Sequence, residues 1–176
     1  LGRGSLQGKA DPATAALQLG YRLERVPLAD LGRFGVTGLG GQARASGSAS
    51  LRIADEGLDA TVDGNAAVSG AGYGGLVVAG SLASPFSLHY GGGALQAEGV
   101  MSALSVAGQG ATVRSAQGPW RFGMEPDGTL AWQAELAAAG IGYGVLAVAE
   151  VRAVVGGGMP VDGPLELSVG FDASQI

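Results

Sequence analysis

The sequence predicts an all-β fold: one extended, bent sheet of antiparallel or mixed strands with an apolar interior groove and one short helix. Three observations carry this. Apolar and polar residues alternate with a period of two along most of the chain. Breaks rich in Gly, Pro and Asp recur between the alternating runs, as turns require. Of the 176 residues, 34 are Gly and none is Cys. Large side chains normally fill a core, and a chain this rich in Gly and Ala has few to offer.

The helix comes first along the chain. In VPLADLGRFG, Leu28, Leu31 and Phe34 stand three apart, Pro27 suits a first helical turn and Gly35 suits a cap. This predicts about two turns over residues 27–34, too short to stand without docking on the sheet. From Gln42 the period becomes two. Ala43, Ala45, Gly47, Ala49, Leu51 and Ile53 share one strand face, and Gln42, Arg44, Ser46, Ser48, Ser50 and Arg52 share the other. The pattern returns in Leu58-Ala60-Val62, opposed by Asp59, Thr61 and Asp63. It returns again in Phe86-Leu88-Tyr90, Leu95-Ala97-Gly99, Trp120-Phe122-Met124, Leu130-Trp132-Ala134-Leu136 and Leu165-Leu167-Val169-Phe171. Turns are expected at Asp55-Glu56-Gly57, Ser84-Pro85, Gly91-Gly92-Gly93, Pro126-Asp127-Gly128, Gly156-Gly157-Gly158 and Asp162-Gly163-Pro164.

GAGYGG, residues 70–75, fits the spacing of a dinucleotide-binding loop. That chemistry needs a helix N-terminus behind the glycines, to present free N–H groups to phosphate. A strand pattern follows instead. Residues 138–149, AAGIGYGVLAVA, nearly copy residues 68–79, VSGAGYGGLVVA, and lack the third Gly. Tyr73 and Tyr143 are 143 − 73 = 70 residues apart. The stretch is therefore a strand–turn–strand unit used twice, over about 58–82 and 128–152, within a single segment spanning residues 1–176.

Function classes fall away on composition. A net charge of −5 does not suit nucleic acid, which wants a basic face. Without Cys there is no disulfide framework or thiolate metal site. There is no apolar run of about 18 residues for a membrane helix, and no visible signal peptide. The chain reads as a segment of something longer. His89 is the lone His and sits on the polar side of its strand. Asp59 and Asp63 lie on a polar face without the apolar surroundings that raise a carboxylate pKa. No catalytic residue, metal site or cofactor is expected.

The apolar face is the informative feature. Its inward positions are Leu51, Ile53, Val62, Leu76, Val78, Phe86, Leu88 and Tyr90 in the first half. Trp120, Phe122, Leu130, Trp132, Leu136, Leu146, Val148, Leu165, Leu167, Val169 and Phe171 follow in the second. Between them stand Ala and Gly, which leave a trough where a closed core would need bulk.

The run VPLADLGRFGVTGLGGQARASGSASL and the twice-used GYGxLxVA resemble the TamB family of AsmA-like, bridge-like lipid-transport proteins of the bacterial envelope. The resemblance implies a "β-taco", a bent sheet with a hydrophobic groove. It implies a place in the periplasm, with the parent protein anchored in the inner membrane by a segment outside this chain. It implies phospholipid or another acyl-chain ligand, a TamA-like outer-membrane assembly barrel as partner of the full-length protein, and a role in outer-membrane biogenesis. The alternative is a structural β-repeat, a solenoid or fibre segment of a surface or adhesin protein. A cut sheet of either kind has open edges, so edge-to-edge self-association is a further expectation.

Overall fold

The computed structural model describes residues 2–30, 38–54, 57–73, 76–78, 80–161, 163–164 and 166–174. It is an all-β chain whose strands form one open sheet. In chain order they are β1 (Arg3–Asp11), β2 (Ala16–Pro27), β3 (Leu39–Ala54), β4 (Gly57–Tyr73), β5 (Leu76–Val78) and β6 (Ser81–Gly91). Then come β7 (Ala94–Gly108), β8 (Ala111–Met124), β9 (Leu130–Tyr143), β10 (Leu146–Met159) and β11 (Glu166–Ser174).

The topology is an up-and-down meander in which every pairing is antiparallel, never mixed. Each strand pairs with the next in sequence, except that β5 and β6 both lie between β4 and β7, as two pieces of one broken strand. Ten strand positions about 4.8 Å apart give a sheet about 43 Å wide. Among the described residues β1 pairs only with β2 and β11 only with β10.

Tight turns join the strands. The Asp11 carboxylate accepts hydrogen bonds from the Ala13 N–H at 3.0 Å and the Thr14 hydroxyl at 2.9 Å. Asp127 accepts one from the Thr129 N–H at 2.8 Å. These bonds stabilise the anions, and both carboxyl groups lie below the usual range. The Thr14 hydroxyl is the main cause at Asp11, and the Thr129 N–H at Asp127.

The helix expected over residues 27–34 differs where it can be followed. Pro27 ends β2, paired with Gln42, and residues 28–30 form one 3₁₀ turn. Residues 31–34 lie outside the described residues. Proline closes a strand as readily as it opens a helix, and the β2–β3 ladder claims it.

A line of left-handed backbone crosses the sheet. Gly70 has φ 61, Ser105 has φ 56 and Gly140 has φ 63. Adjacent ladder pairs place Ser105 opposite Arg114, and Arg114 opposite Gly140. Gly80 stands between Gly70 and Ser105: its carbonyl accepts from the Gly70 N–H at 3.4 Å, and a Cβ on it would lie 3.3 Å from the Ser105 Cβ. Gly41, with φ 107 at the β3 bulge, adjoins Gly70. A left-handed residue redirects a strand, so this line is where the sheet bends.

The alternation changes phase along the same line. In β7, Leu95, Ala97, Gly99, Met101 and Ala103 are the covered positions, but past Ser105 the alternation is lost: Val106, Ala107 and Gly108 are all half-buried. In β10, Val151, Ala153 and Val155 are covered, and then Val148.

The left-handed positions also mark a period. The bends at 70, 105 and 140 differ by 105 − 70 = 140 − 105 = 35 residues. The turns at Gln109 and Gly144 differ by 144 − 109 = 35, and those at Gly93 and Gly128 by 128 − 93 = 35. One hairpin of 35 residues is thus the structural step, and the offset of 70 visible in the sequence is two such steps.

Candidate functional site

The sheet is a single layer. Among the described residues only Ala103 and Ala134 are buried apolar side chains, and no large side chain is fully buried. Nothing in the described chain packs on either face, so both faces can be read row by row from the register.

Residues directly opposite one another in an antiparallel ladder share a face. The central row runs Leu6, Tyr21, Gly47, Gly64, Phe86, Gly99, Trp120, Ala134, Val155 and Val169. The next row toward the β6–β7 turn includes Leu19, Ala49, Val62, Leu88, Ala97, Phe122 and Trp132. Beyond it come Leu17, Leu51, Ala60, Tyr90, Leu95, Met124 and Leu130. Leu136 pairs with Ala153 on the other side of the central row. These rows contain no charged residue.

By register, the sequence-predicted positions from Leu51 to Leu136 that lie before the bend fall on one face, with graded exposure. Leu51, Val62, Phe86, Leu88, Tyr90, Trp120, Phe122, Leu130, Trp132 and Leu136 are half-buried. Ile53 is 72% and Val169 54% exposed, the first at a strand end and the second on the outer strand β11. On β11 Leu167 pairs with Gly157 and Phe171 with Ala153. Leu146 and Val148 lie past the bend, Leu146 opposite Tyr143 and 66% exposed, Val148 opposite Ile141 and half-buried. Leu76 and Val78 occupy β5 past the same bend, with Val78 opposite Val106. Leu165 lies outside the described residues.

Sequence reasoning missed how the large side chains lie. Four of them, Leu19, Tyr21, Leu23 and Trp120, do not stand up from the sheet but lean across glycines of neighbouring strands. A Cβ on Gly47 or Gly64 would collide with the Tyr21 ring or hydroxyl. One on Gly8 would meet Leu19, and one on Gly4 would touch Leu23 at 3.0 Å. Trp120 on β8 crosses β7 over Gly99, and its indole N–H donates to the Ser84 hydroxyl on β6 at 2.8 Å. Ser84 in turn donates to the Pro85 carbonyl at 3.0 Å. The signal was in the sequence as glycines on the apolar alternation, but pairing each with its ring needs the register. The face is low where these four side chains lie.

Tyr21 is the exception in polarity. Its hydroxyl is buried without a hydrogen-bond partner. Burial, and then the negative charge of Asp63, push its pKa above the ordinary tyrosine value.

The opposite face carries the charged residues, together with the exposed apolar side chains of Val100, Leu104 and Val154. His89 is exposed there, with Nδ1 3.5 Å from the Thr61 hydroxyl, and Asp59 and Asp63 lie on the same face of β4. Its ion pairs, Arg22–Glu24 at 2.9 Å, Arg152–Glu150 at 3.8 Å and Arg121–Glu98 at 4.0 Å, are solvent-exposed. Each contributes little, since water and salt screen such pairs. Among the described residues no group of three or more His, Asp or Glu could hold a metal ion. No helix among them is long and apolar enough to cross a membrane.

No family model matches this sequence, and no curated protein or solved structure matches it. The apolar face must speak through its own chemistry.

Proposed function

We propose that the apolar face carries the acyl chains of phospholipid, as one segment of a TamB-like protein bridging the two membranes of a bacterial envelope. The observation that supports this is a charge-free apolar face that no other part of the described chain covers. Its four rows span about 43 Å across the strands and about 20 Å along them, three steps of two residues. That is on the order of 1,000 Å², beyond the few hundred that a soluble monomer normally exposes. Flat rings over glycines suit a sliding occupant, because a uniform lining offers few polar groups that would fix one molecule in place.

In this reading the parent protein is anchored in the inner membrane, spans the periplasm and meets an outer-membrane assembly barrel at its far end. A sixteen-carbon chain fully sheathed from water would gain roughly 12 kcal/mol at about 0.8 per CH₂. An open face supplies only part of that, which leaves room for exchange. The structural-repeat reading gains nothing from a solenoid, because these strands form an antiparallel meander rather than stacked coils.

The test is site-specific photo-cross-linking. A benzophenone amino acid replaces Leu88 or Trp132 on the apolar face, or Ser48 or Gln133 on the polar face. Each variant is mixed with vesicles of radiolabelled diacylphospholipid. Lipid adducts are expected at Leu88 and Trp132 only. Adducts at none of the four, or equally at all four, overturn the proposal.

A further inference from the structure

Seven of the ten Lys and Arg precede residue 55, but only three of the fifteen Asp and Glu do. That stretch carries 7 − 3 = +4 and the remainder 3 − 12 = −9. On the sheet the basic excess gathers at one place. β2 has a bulge between Leu23 and Val26, so Glu24 and Arg25 together stand against Arg44 of β3. Leu23 and Val26 pair with Ala45 and Ala43, on the apolar side of β3, which leaves the bulge and Arg44 on the charged face. Arg22 lies on that face too, opposite Ser46, in a row that continues to Asn65. A shallow hollow there is lined by Arg22, Arg25, Arg44, Ser46 and Asn65.

Two features of this place oppose folding. Arg25 has φ 54, left-handed backbone that ordinary side chains avoid. It also stands beside Arg44 across the ladder, and like charges so opposed are unfavourable. The acid at hand does not relieve them. Glu24, the one acid lining the hollow among the described residues, is held by Arg22 at 2.9 Å. Arg25 and Arg44 have no ion-pair partner among the described residues. Strained backbone and unbalanced charge gather at binding sites, where a ligand of opposite sign compensates them.

We propose that this hollow binds a phosphate-type oxyanion, on the face of the sheet away from the apolar rows. Arg44 and the bulge are directly opposed. Arg22 stands one diagonal step from Arg44, about 7–8 Å and within reach of long side chains. Guanidinium groups present N–H donors in a planar fork that matches phosphate oxygens two at a time. A carboxylate is filled by one such fork. A tetrahedral phosphate presents oxygens in several directions and takes more than one. The Ser46 hydroxyl and the Asn65 amide add neutral donors at the same hollow. The phosphate belongs either to a free solute or to the headgroup of an anionic phospholipid at a membrane surface. The site is independent of the apolar face, so neither stands or falls with the other.

The experiment compares Arg25→Gln/Arg44→Gln with Arg121→Gln/Arg152→Gln. Each pair takes the net charge from −5 to −5 − 2 = −7. Arg121 and Arg152 lie on the same face, each beside its own acid, Glu98 and Glu150. Far-ultraviolet circular dichroism checks the folds, and Arg44→Gln alone repeats the test with the bulge untouched. Inorganic phosphate is titrated calorimetrically at constant ionic strength. Flotation with phosphatidylglycerol vesicles, beside phosphatidylcholine vesicles, gives the second arm. Without anion, Arg25→Gln/Arg44→Gln is expected to be at least as stable as wild type, because the like-charge contact is gone. Its phosphate affinity is expected to fall roughly tenfold or more, with the control pair close to wild type. That result supports the proposal with a free solute as the source. The same selective loss confined to phosphatidylglycerol flotation supports it with a lipid headgroup as the source. Wild type that neither binds phosphate nor prefers phosphatidylglycerol, or a loss no larger than in the control pair, overturns it.

Discussion

Consider Gly64→Ala. In a strand with ordinary φ this change would stabilise by about 0.4–1 kcal/mol, by restricting the unfolded chain. Here the new Cβ would collide with the Tyr21 hydroxyl, and would lie 2.7 Å from the Ser46 carbonyl oxygen and 3.2 Å from Tyr21 Cζ. The ring must lift from the floor. A tyrosine buries about 150–250 Å² when covered. If about 80 Å² of ring contact is lost, the cost is about 2 kcal/mol at 25 cal/mol per Å². The Ser46 carbonyl, a backbone atom that cannot swing aside, adds a strain that persists without the ring. Gly64→Ala should therefore destabilise both backgrounds, and wild type by about 2 kcal/mol more than Tyr21→Ala. Urea unfolding followed by the fluorescence of Trp120 and Trp132 measures both, with unchanged m values licensing the comparison. The difference is the coupling between ring and glycine. Equal costs in the two backgrounds would refute the claim that the ring lies on Gly64.

Tyr21→Phe removes a buried hydroxyl that has no partner, so stability should be unchanged or up to about 1 kcal/mol higher by the same urea assay. In wild type the Tyr21 phenol is the raised group, so its folded form holds its proton beyond the unfolded pKa of 10.0. Its contribution is intact below pH 10 and lost as pH rises through the folded value, a loss that Tyr21→Phe should abolish in alkaline unfolding. At the β8–β9 turn the Asp127 pKa is depressed, so its contribution is present above 3.8 and lost as pH falls through the lower folded value. Asp127→Ala should lower stability at pH 7 and flatten that acid limb, read as Tm against pH.

Alternation made the all-β class legible, and which residues share a strand face was legible wherever the period of two held unbroken, as in Leu130-Trp132-Ala134-Leu136. It misled where tertiary pairing overrode a local signal. Pro27 suggested a first helical turn, yet it closes a strand against Gln42, and the helical part that can be followed is the 3₁₀ turn at residues 28–30. The bend was hidden for a different reason. Ser105 carries no sequence mark of left-handed backbone, and only its place in line with Gly70 and Gly140 exposes it. The repeat at 70 was visible because Gly70 and Gly140 are both glycines. The half-step was not, because a serine stands there.

That serine offers a direct test of the bend. A non-glycine residue in left-handed backbone carries about 1–2 kcal/mol of steric cost. If the line across the sheet requires that conformation, Ser105→Gly should relieve the cost and offset it only partly by the greater freedom of glycine in the unfolded chain. A net gain of about 0.5–1 kcal/mol is expected. Gly140→Ala should do the reverse and lose more than Ser105 now costs, because a Cβ there also lies 2.9 Å from the Arg114 Cβ. Both variants leave the apolar rows intact, so tryptophan emission should hold while the unfolding midpoint moves in opposite directions. The bend would be disproved as a built-in feature if Gly140→Ala were neutral, since an ordinary extended strand accepts alanine without cost. Should both midpoints move as expected, one backbone line sets where the alternation changes phase. The apolar residues on either side in β10, Val151 and Val148, then line one face continuously although the sequence period breaks between them.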